Sequence, residues 1–284
     1  MKFKKIVIIG TGLIGGSIGK ALIERGLAGE VVGIYRREGS LLRALKEKAV
    51  TKGYVEDYPE ALKGAEIIFI ATPVHTIRQT LDKIGGIIRD RKVIVTDVGS
   101  TKKEICKYAS KFRGRFTFIG GHPMAGSEKA GVENSTPDLF KGSVCLLAED
   151  KRIKEELSGK LKSLWEALGA RVYMISPEKH DRNLAFSSHL PHVVAYALAG
   201  TADGEFLPEM AATGFKDTTR IASSDAVIWT DIFMSNRKYM LEAVKKYKKV
   251  LLKVEKCIKD KDEQQLQKYL KDFKKVRDEL FKAN

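Results

Sequence analysis

A chain of 284 residues, of which 43% are apolar, is long enough to bury the cores of two domains of ordinary size. Its net charge of +15 is spread along the chain rather than gathered into a basic arm with aromatic platforms, so we expect no nucleic-acid binding. The first apolar run ends at Gly10, which is too short for a secretion signal, and no run reaches the roughly 18–20 apolar residues of a membrane span, so we expect a cytoplasmic protein without membrane contact.

The first 175 residues alternate between short apolar strands and helices. The opening βαβ unit consists of a strand at Lys5–Ile9, a helix from about Gly15 to Arg25 and a strand at Val31–Tyr35. The later predicted strands are Ile67–Ala71, Lys92–Thr96, Phe116–Gly120, Val144–Ala148 and Arg171–Ile175, and the later helices are Leu41–Lys48, Thr76–Ile88 and Ile153–Leu168. This alternation predicts an α/β fold with a doubly wound, mostly parallel sheet.

After Ser176-Pro177 the apolar pattern becomes helical to the end of the chain. We therefore predict an N-terminal Rossmann domain over residues 1–175 and an all-helical domain over residues 176–284. Residues 237–284 carry sixteen Lys and Arg against eight Asp and Glu, interleaved with an apolar helical period, which is typical of a solvated helix face. The apolar face could pack within its own domain, but so small a domain has a thin core, and we expect a homodimer through these helices.

A glycine-rich turn follows the first predicted strand and opens the first helix. It reads Gly10-Thr11-Gly12-Leu13-Ile14-Gly15, a GxGxxG motif in the strand-to-helix setting that dinucleotide binding requires. Gly10 permits the tight turn, Gly12 allows the backbone to approach a pyrophosphate, and Gly15 allows close packing of helix on strand. The motif, including Leu13 and Ile14, is predicted to bind a nicotinamide dinucleotide, although a glycine-rich turn without a ligand is the alternative.

The end of the second strand bears on which nicotinamide cofactor fits. NAD enzymes usually place an acid here to accept hydrogen bonds from the ribose 2′-OH, whereas this chain has Tyr35-Arg36-Arg37. A pair of guanidinium groups suits the 2′-phosphate of NADP. We therefore predict that NADP is favoured over NAD, with solvated arginines and a ribose contact from Glu38 as the alternative.

Five polar clusters stand out because each mixes polar groups with Gly or Pro near the end of an element. They are Ala71–Val74, Asp97–Lys102, Gly120–Glu128, Ser188–His192 and Gly214–Arg220. The first three follow strands, and ligands of open α/β sheets bind at the carboxyl ends of strands, so we expect these three to share one cleft. Thr72 and Pro73 of the first cluster are predicted to contact the cofactor. The three cysteines lie far apart and outside any CxxC setting, so no metal site is predicted.

With these clusters, the sequence closely resembles the prephenate dehydrogenase family, which includes arogenate-using relatives. The resemblance covers nearly the whole chain and rests on three segments in order, GGHPMAGSE, SHLPH and GFKDTTR. It implies a Rossmann domain followed by a helical dimerisation domain. It also implies oxidative decarboxylation of prephenate to 4-hydroxyphenylpyruvate in tyrosine biosynthesis, or of arogenate to tyrosine.

The resemblance implies a role for each of six residues. His122 corresponds to the catalytic histidine, and a neutral imidazole suits a base for the C4 hydroxyl of the substrate. Ser100 corresponds to a serine that hydrogen-bonds the same hydroxyl, with a helix N-cap as its alternative role. Arg220 corresponds to a carboxylate clamp, with an ion pair to Asp217 as its alternative. The remaining positions, near the substrate or at the mouth of the site, are His192, Ser127 and Glu128.

Two other readings compete with this one. A nicotinamide-binding sensor without turnover would have no need for His122, Ser100 and Arg220 together. A β-hydroxyacid dehydrogenase would rely on a catalytic lysine in its helical domain, and its family lacks the HLPH segment.

Overall fold

The computed structural model describes residues 2–126, 129–202 and 211–282. The chain divides into two compact units, Met1–Asn236 and Arg237–Asn284. The boundary near residue 175 stays a prediction about how the chain divides by function. Within the described ranges, no helix has the length and apolar content needed to cross a membrane.

The first unit contains a six-stranded parallel sheet with the order β3-β2-β1-β4-β5-β6. Its strands are β1 Phe3–Ile9, β2 Ala28–Tyr35, β3 Lys52–Val55, β4 Ile67–Ile70, β5 Ile94–Asp97 and β6 Thr117–Phe118. This is the order of a Rossmann fold, and the strand order reverses between β1 and β4. The predicted fold class is confirmed. Strand β3 escaped the sequence prediction because Lys52–Val55 is short and only partly buried.

Both faces of this sheet are buried, because successive strand residues enter two separate apolar cores. In β1, Ile6 and Ile8 enter one core, and Val7 and Ile9 enter the other. The covering helices are α1 Leu13–Glu24, α2 Glu38–Lys46, α3 Tyr58–Leu62, α4 Ile77–Ile87, α5 Lys103–Ala109 and α6 Glu155–Ala167. Burial on both faces explains why these strands are continuous apolar runs in the sequence.

A second, three-stranded sheet corrects the predicted placement of the last two strands. It has the order β7-β8-β9, with β7 Gly121–Met124, β8 Val144–Ala148 and β9 Arg171–Ile175. Strand β7 is antiparallel to β8, and β8 is parallel to β9. A parallel strand needs a crossover of about a dozen residues or more, and only Ile119 and Gly120 separate β6 from β7. The chain therefore leaves the main sheet here instead of extending it.

Helices follow β9 through the rest of the first unit's described residues, in agreement with the helical pattern after Ser176. They are α7 Pro177–Leu184, α8 Leu190–Ala199, α9 Thr213–Thr219 and α10 Ala226–Ser235. The Ser176 hydroxyl caps α7 by accepting a hydrogen bond from Lys179 N at 3.3 Å. A single π-helical turn, Ala185–His189, joins α7 to α8. Such turns are frequent at functional sites because they change the direction of the side chains that follow.

The second unit consists of two long helices, α11 Arg237–Lys259 and α12 Glu263–Phe281. The Asp262 side chain caps α12 by accepting a hydrogen bond from Gln265 N at 3.0 Å. Large apolar side chains on both helices are exposed in the single chain, among them Leu251, Leu252, Leu270, Phe273, Val276 and Leu280. This unit therefore leaves a substantial apolar surface uncovered.

Candidate active site

The glycine turn lies between β1 and α1, where the strand order of the main sheet reverses. Gly10 has φ +90°, a left-handed conformation that favours glycine, and a Cβ there would lie 2.8 Å from the Ala71 carbonyl oxygen. A Cβ on Gly15 would lie 2.0 Å from the Gly10 carbonyl oxygen. At Gly12, by contrast, an added Cβ would have no atom within 4 Å. The turn is thus closed toward β4 and open at the N-terminus of α1, which carries no acidic residue in its first turn, so a pyrophosphate fits there.

The side chains at the end of β2 differ from one another in exposure. The Tyr35 ring is buried against Gly33 and Gly53, and burial raises the pKa of its phenol to about 12. Arg36 and Arg37 are exposed, and neither guanidinium forms an ion pair within the described ranges. Two unpaired cations therefore stand at the position where nicotinamide cofactors differ.

The loop after β4 lies beside the glycine turn and carries Thr72 and Pro73. A Cβ on Gly10 would lie 2.9 Å from the Thr72 methyl group, so the two loops are in close contact. The Thr72 hydroxyl accepts a hydrogen bond from Thr76 at 2.8 Å. One residue beyond Pro73, a short 3₁₀ turn begins, and its His75 pairs with Asp231 of α10. The predicted cofactor loop is thus attached to the helical part of the first unit.

A buried carboxylate at the end of β5 connects two of the predicted catalytic segments. Asp97 accepts hydrogen bonds from Gly99 N at 2.9 Å and from Gly121 N at 3.2 Å, and it pairs with the ammonium of Lys102. The side chains of Asp97 and Lys102 are both fully buried. A buried charge pair with additional hydrogen bonds of this kind fixes geometry more reliably than it adds stability. It holds the loop that carries Ser100 against the strand that carries His122.

His122 lies in the middle of β7 and is buried. Burial lowers the pKa of its imidazole well below the usual range, and the neighbouring His180 and the cation of Lys102 lower it further. The ring is therefore neutral near pH 7. Its Nδ1 lies 2.9 Å from Nε2 of His180.

His180 connects His122 to a carboxylate at the start of α5. Nδ1 of His180 lies 2.8 Å from Oδ1 of Asp181. The two Asp181 oxygens also accept hydrogen bonds from Lys102 N at 2.7 Å and Lys103 N at 2.9 Å. These two hydrogen bonds cap the start of α5, which was the alternative role predicted for Ser100. Because Lys102 is the N-cap residue and Asp181 supplies the capping oxygens, the helix does not use the Ser100 side chain for that purpose.

The segment Ser188–His192, which spans the end of the π-helical turn and the start of α8, places two histidines in different surroundings. His189 is almost fully buried, its Nδ1 lies 3.1 Å from Nδ2 of Asn236, and burial lowers its pKa to about 4. Its Nε2 has no hydrogen-bond partner within the described residues. His192 is half-buried and stacks on Trp229, with ring centroids 3.3 Å apart. Its Nδ1 lies 3.0 Å from the Ser188 carbonyl oxygen, which leaves Nε2 available to a ligand.

Arg220 follows α9 in a short 3₁₀ turn, Arg220–Ser223, that packs against α8. The same region is fastened by Tyr196, whose hydroxyl donates to the Ser224 carbonyl at 2.7 Å. Arg220 and Asp217 are both exposed, and no ion pair joins them. The guanidinium is therefore accessible to a carboxylate from outside. The remaining predicted residues, Ser127 and Glu128, lie outside the described ranges.

Four residues that the fold brings to this region were not predicted from the sequence. They are His180, Asp181, Trp229 and Asn236. Of these, only His180 and Asp181 left a signal in the sequence. Ser176-Pro177 marks the start of a helix, and a His-Asp pair in the first turns of that helix is able to orient another histidine. Within the described residues, no group of three or more His, Cys, Asp or Glu side chains is arranged to hold a metal ion.

The strand order, the glycine turn at its reversal and the buried His122, which follows a residue bonded to the end of β5, define a Rossmann-type nicotinamide-dependent oxidoreductase. Two family models match the chain, "Prephenate dehydrogenase, nucleotide-binding domain" over residues 18–174 and "Prephenate dehydrogenase, dimerization domain" over residues 176–272. The chain belongs to the prephenate dehydrogenase family, and the resemblance seen in the sequence is confirmed.

Individual relatives agree with this assignment. A prephenate dehydrogenase of Lactococcus lactis is 34% identical, and the match covers 96% of this chain and 77% of the relative. The structure of prephenate dehydrogenase from A. aeolicus in complex with hydroxyphenyl propionate and NAD+ matches with a TM-score of 0.90 and 33% identity over 99% of both chains. Synechocystis arogenate dehydrogenase matches with a TM-score of 0.83 and 30% identity, covering 97% of this chain and 99% of the other.

Proposed function

We propose that this chain catalyses the oxidative decarboxylation of prephenate to 4-hydroxyphenylpyruvate, the reaction that serves tyrosine biosynthesis. The observation that carries the proposal is the buried His122, whose lowered pKa keeps the imidazole neutral and able to accept a proton near pH 7. The match to an A. aeolicus enzyme holding a hydroxyphenyl ligand and NAD+ supports the same reaction.

The reaction requires three contributions from the protein. His122 accepts the proton of the C4 hydroxyl, Ser100 hydrogen-bonds the same oxygen, and Arg220 binds a substrate carboxylate. A dinucleotide held at the glycine turn would supply the acceptor for the hydride of C4, and loss of CO2 from C1 would make the substrate ring aromatic. His192 contacts the substrate side chain, and the resemblance implies a role near the substrate for Ser127 and Glu128 as well.

The dinucleotide binds at the open side of the glycine turn, along Gly10, Gly12, Leu13, Ile14 and Gly15. Thr72 and Pro73 contact it from the loop after β4. Among the two forms, we propose that NADP is favoured, because Arg36 and Arg37 are exposed and unpaired at the ribose end. Tyr35 is the last residue of β2, and with its ring buried it would contribute main-chain contacts.

Assembly and location complete the proposal. The functional division falls near residue 175, and residues 176–284 form a homodimer, in keeping with the family model named for dimerisation. A cytoplasmic location stays a prediction from the sequence.

Arogenate is the second candidate substrate, favoured by the similarity to Synechocystis arogenate dehydrogenase. It differs from prephenate by an amino group in place of the side-chain keto group. A test of both candidates follows absorbance at 340 nm with each substrate combined with NAD+ and with NADP+, and identifies the product by chromatography. We expect 4-hydroxyphenylpyruvate from prephenate. Tyrosine formed from arogenate alone would replace the first candidate by the second, and no reduction in any of the four mixtures would refute both.

A further inference from the structure

We propose that His180 and Asp181 are positioning residues that fix the tautomer of His122, so that its Nε2 is the atom that accepts the substrate proton. The inference rests on the proposed function for its catalytic meaning. The tautomer itself is a property of the free protein.

Asp181 accepts hydrogen bonds from two main-chain N–H groups, Lys102 N and Lys103 N, at the start of α5. Both oxygens of the Asp181 side chain are therefore already hydrogen-bond acceptors, as the two oxygens of a carboxylate are. Nδ1 of His180 must therefore carry the hydrogen in its 2.8 Å contact with Oδ1 of Asp181.

In a neutral imidazole, one ring nitrogen donates and the other accepts. With its hydrogen on Nδ1, a neutral His180 presents Nε2 as an acceptor. The 2.9 Å contact then requires Nδ1 of His122 to donate. His122 is neutral, so its own Nε2 carries the lone pair and is the basic atom.

The hydrogen bonds that link His122, His180 and Asp181 are shielded from water. His180 and Asp181 are almost completely buried, so water does not compete for their hydrogen bonds. Asn236 adds a further constraint, since its Nδ2 donates to the Asp181 carbonyl at 2.7 Å and lies 3.1 Å from Nδ1 of His189. Because the Asp181 carbonyl oxygen can only accept, the atom facing it must be the Asn236 amide nitrogen, which fixes the orientation of the Asn236 side chain. His189 consequently takes the opposite tautomer, with its hydrogen on Nε2.

Nitrogen NMR of histidine side chains tests the assignment without substrate or cofactor. The chain has five histidines, and ¹⁵N-labelled protein at pH 7.5 gives a separate two-bond pattern for each tautomer. We expect Nδ1–H for His122 and His180 and Nε2–H for His189, with His122 assigned by its loss in His122→Asn. An Nε2–H pattern for His122, as a doubly protonated His180 would produce, would overturn the proposal.

Kinetics test the positioning role. His180→Phe keeps a ring of similar shape without either nitrogen. We expect kcat to fall ~10–10²-fold, the usual effect of losing a partner that orients a functional histidine. The KM values for substrate and for dinucleotide should each change less than about twofold. His180→Gln keeps an acceptor for Nδ1 of His122 and should recover part of the loss. Glu178→Gln is the matched control, because Glu178 lies on the same helix and accepts a hydrogen bond from Lys103 of α5 at 3.1 Å.

The outcomes separate the two proposals. If wild-type protein oxidises neither prephenate nor arogenate but shows Nδ1–H at His122, the proposed function fails and the hydrogen-bond chain stands. If the wild type turns over and His180→Phe retains full kcat, or Glu178→Gln loses as much, the positioning role is wrong.

Discussion

At the scale of single residues, the proposed reaction requires that His122 be buried and still uncharged near pH 7. We expect His122→Asn to lower kcat by ~10²–10⁴-fold, because the amide keeps hydrogen-bonding capacity but has no basic nitrogen. Dinucleotide affinity should stay within about twofold, since His122 lies on β7 and not on the glycine turn. Steady-state kinetics and fluorescence titration of the cofactor measure the two quantities. Near-normal turnover would remove His122 from the reaction.

Arg220 carries the second prediction at this scale. Arg220→Ala should raise KM for the substrate strongly, because a charge-assisted contact to a carboxylate contributes ~1.5–3 kcal/mol, whereas dinucleotide KM should barely change. Asp217→Ala is the comparison, since the structure shows no ion pair between the two side chains. Equal loss of thermal stability in both variants, without a change in KM, would favour the structural ion pair instead.

At the scale of elements, the junction of β2 and α2 decides cofactor choice. We expect kcat/KM to favour NADP+ by roughly ten- to a hundredfold, from charge-assisted contacts of ~1.5–3 kcal/mol, and less if the arginines stay solvated. Replacing Arg36 and Arg37 by Ala should erase most of this preference and leave NAD+ use nearly unchanged. Arg43→Ala, near the other end of α2, is the matched control.

Added salt should weaken the use of NADP+ more than that of NAD+, because an exposed contact to an additional phosphate is screened. If wild-type protein prefers NAD+ several-fold at ordinary ionic strength, the interpretation of this junction is wrong, and Glu38 becomes the ribose ligand to test.

The buried turn between α7 and α8 has a consequence for stability. His189 has a pKa of about 4 in the folded chain and about 6.5 when unfolded, so between these values the unfolded state binds more protons. Its contribution is fully present above pH 6.5 and is lost as pH falls toward 4, an effect on the order of 3 kcal/mol. We expect His189→Gln to flatten this part of the pH dependence.

Chemical denaturation at pH 7.5, 5.5 and 4.5, at one protein concentration, measures the effect as the difference between wild type and His189→Gln in free energy of unfolding. A difference that does not change across this range would show that His189 binds its proton in the folded protein with the same pKa as in the unfolded chain.

At the scale of the whole molecule, we expect the exposed apolar surface of α11 and α12 to be buried against a second copy of the chain. We expect light scattering at micromolar concentration to give twice the chain mass of 31.6 kDa. Leu251→Glu with Leu252→Glu should shift the equilibrium toward the monomer, because both side chains are exposed in the single chain and a charge resists burial. Lys249→Glu controls for the change of charge alone. A wild-type mass near 31.6 kDa would contradict the homodimer.

The part of this protein that the sequence determined by itself is local in origin. The apolar run of β1, the glycine turn and α1 are adjacent in the chain, so their periodicity and spacing predicted the Rossmann unit, and the motifs around His122, His192 and Arg220 indicated the family. The helical pattern after Ser176 was likewise readable from its apolar spacing. Each of these signals depends on neighbours within a few residues.

Only the tertiary structure decided which distant residues meet. His122 and His180 are 58 residues apart, and Asn236 reaches Asp181 across 55 residues, separations at which no periodicity carries information. Composition also gave no sign that β7 would leave the main sheet, because that depends on the two-residue connection after β6 being too short for a crossover. Packing of α7 against α5 therefore set the surroundings of His122, whereas the sequence alone was enough to predict His122 as the base.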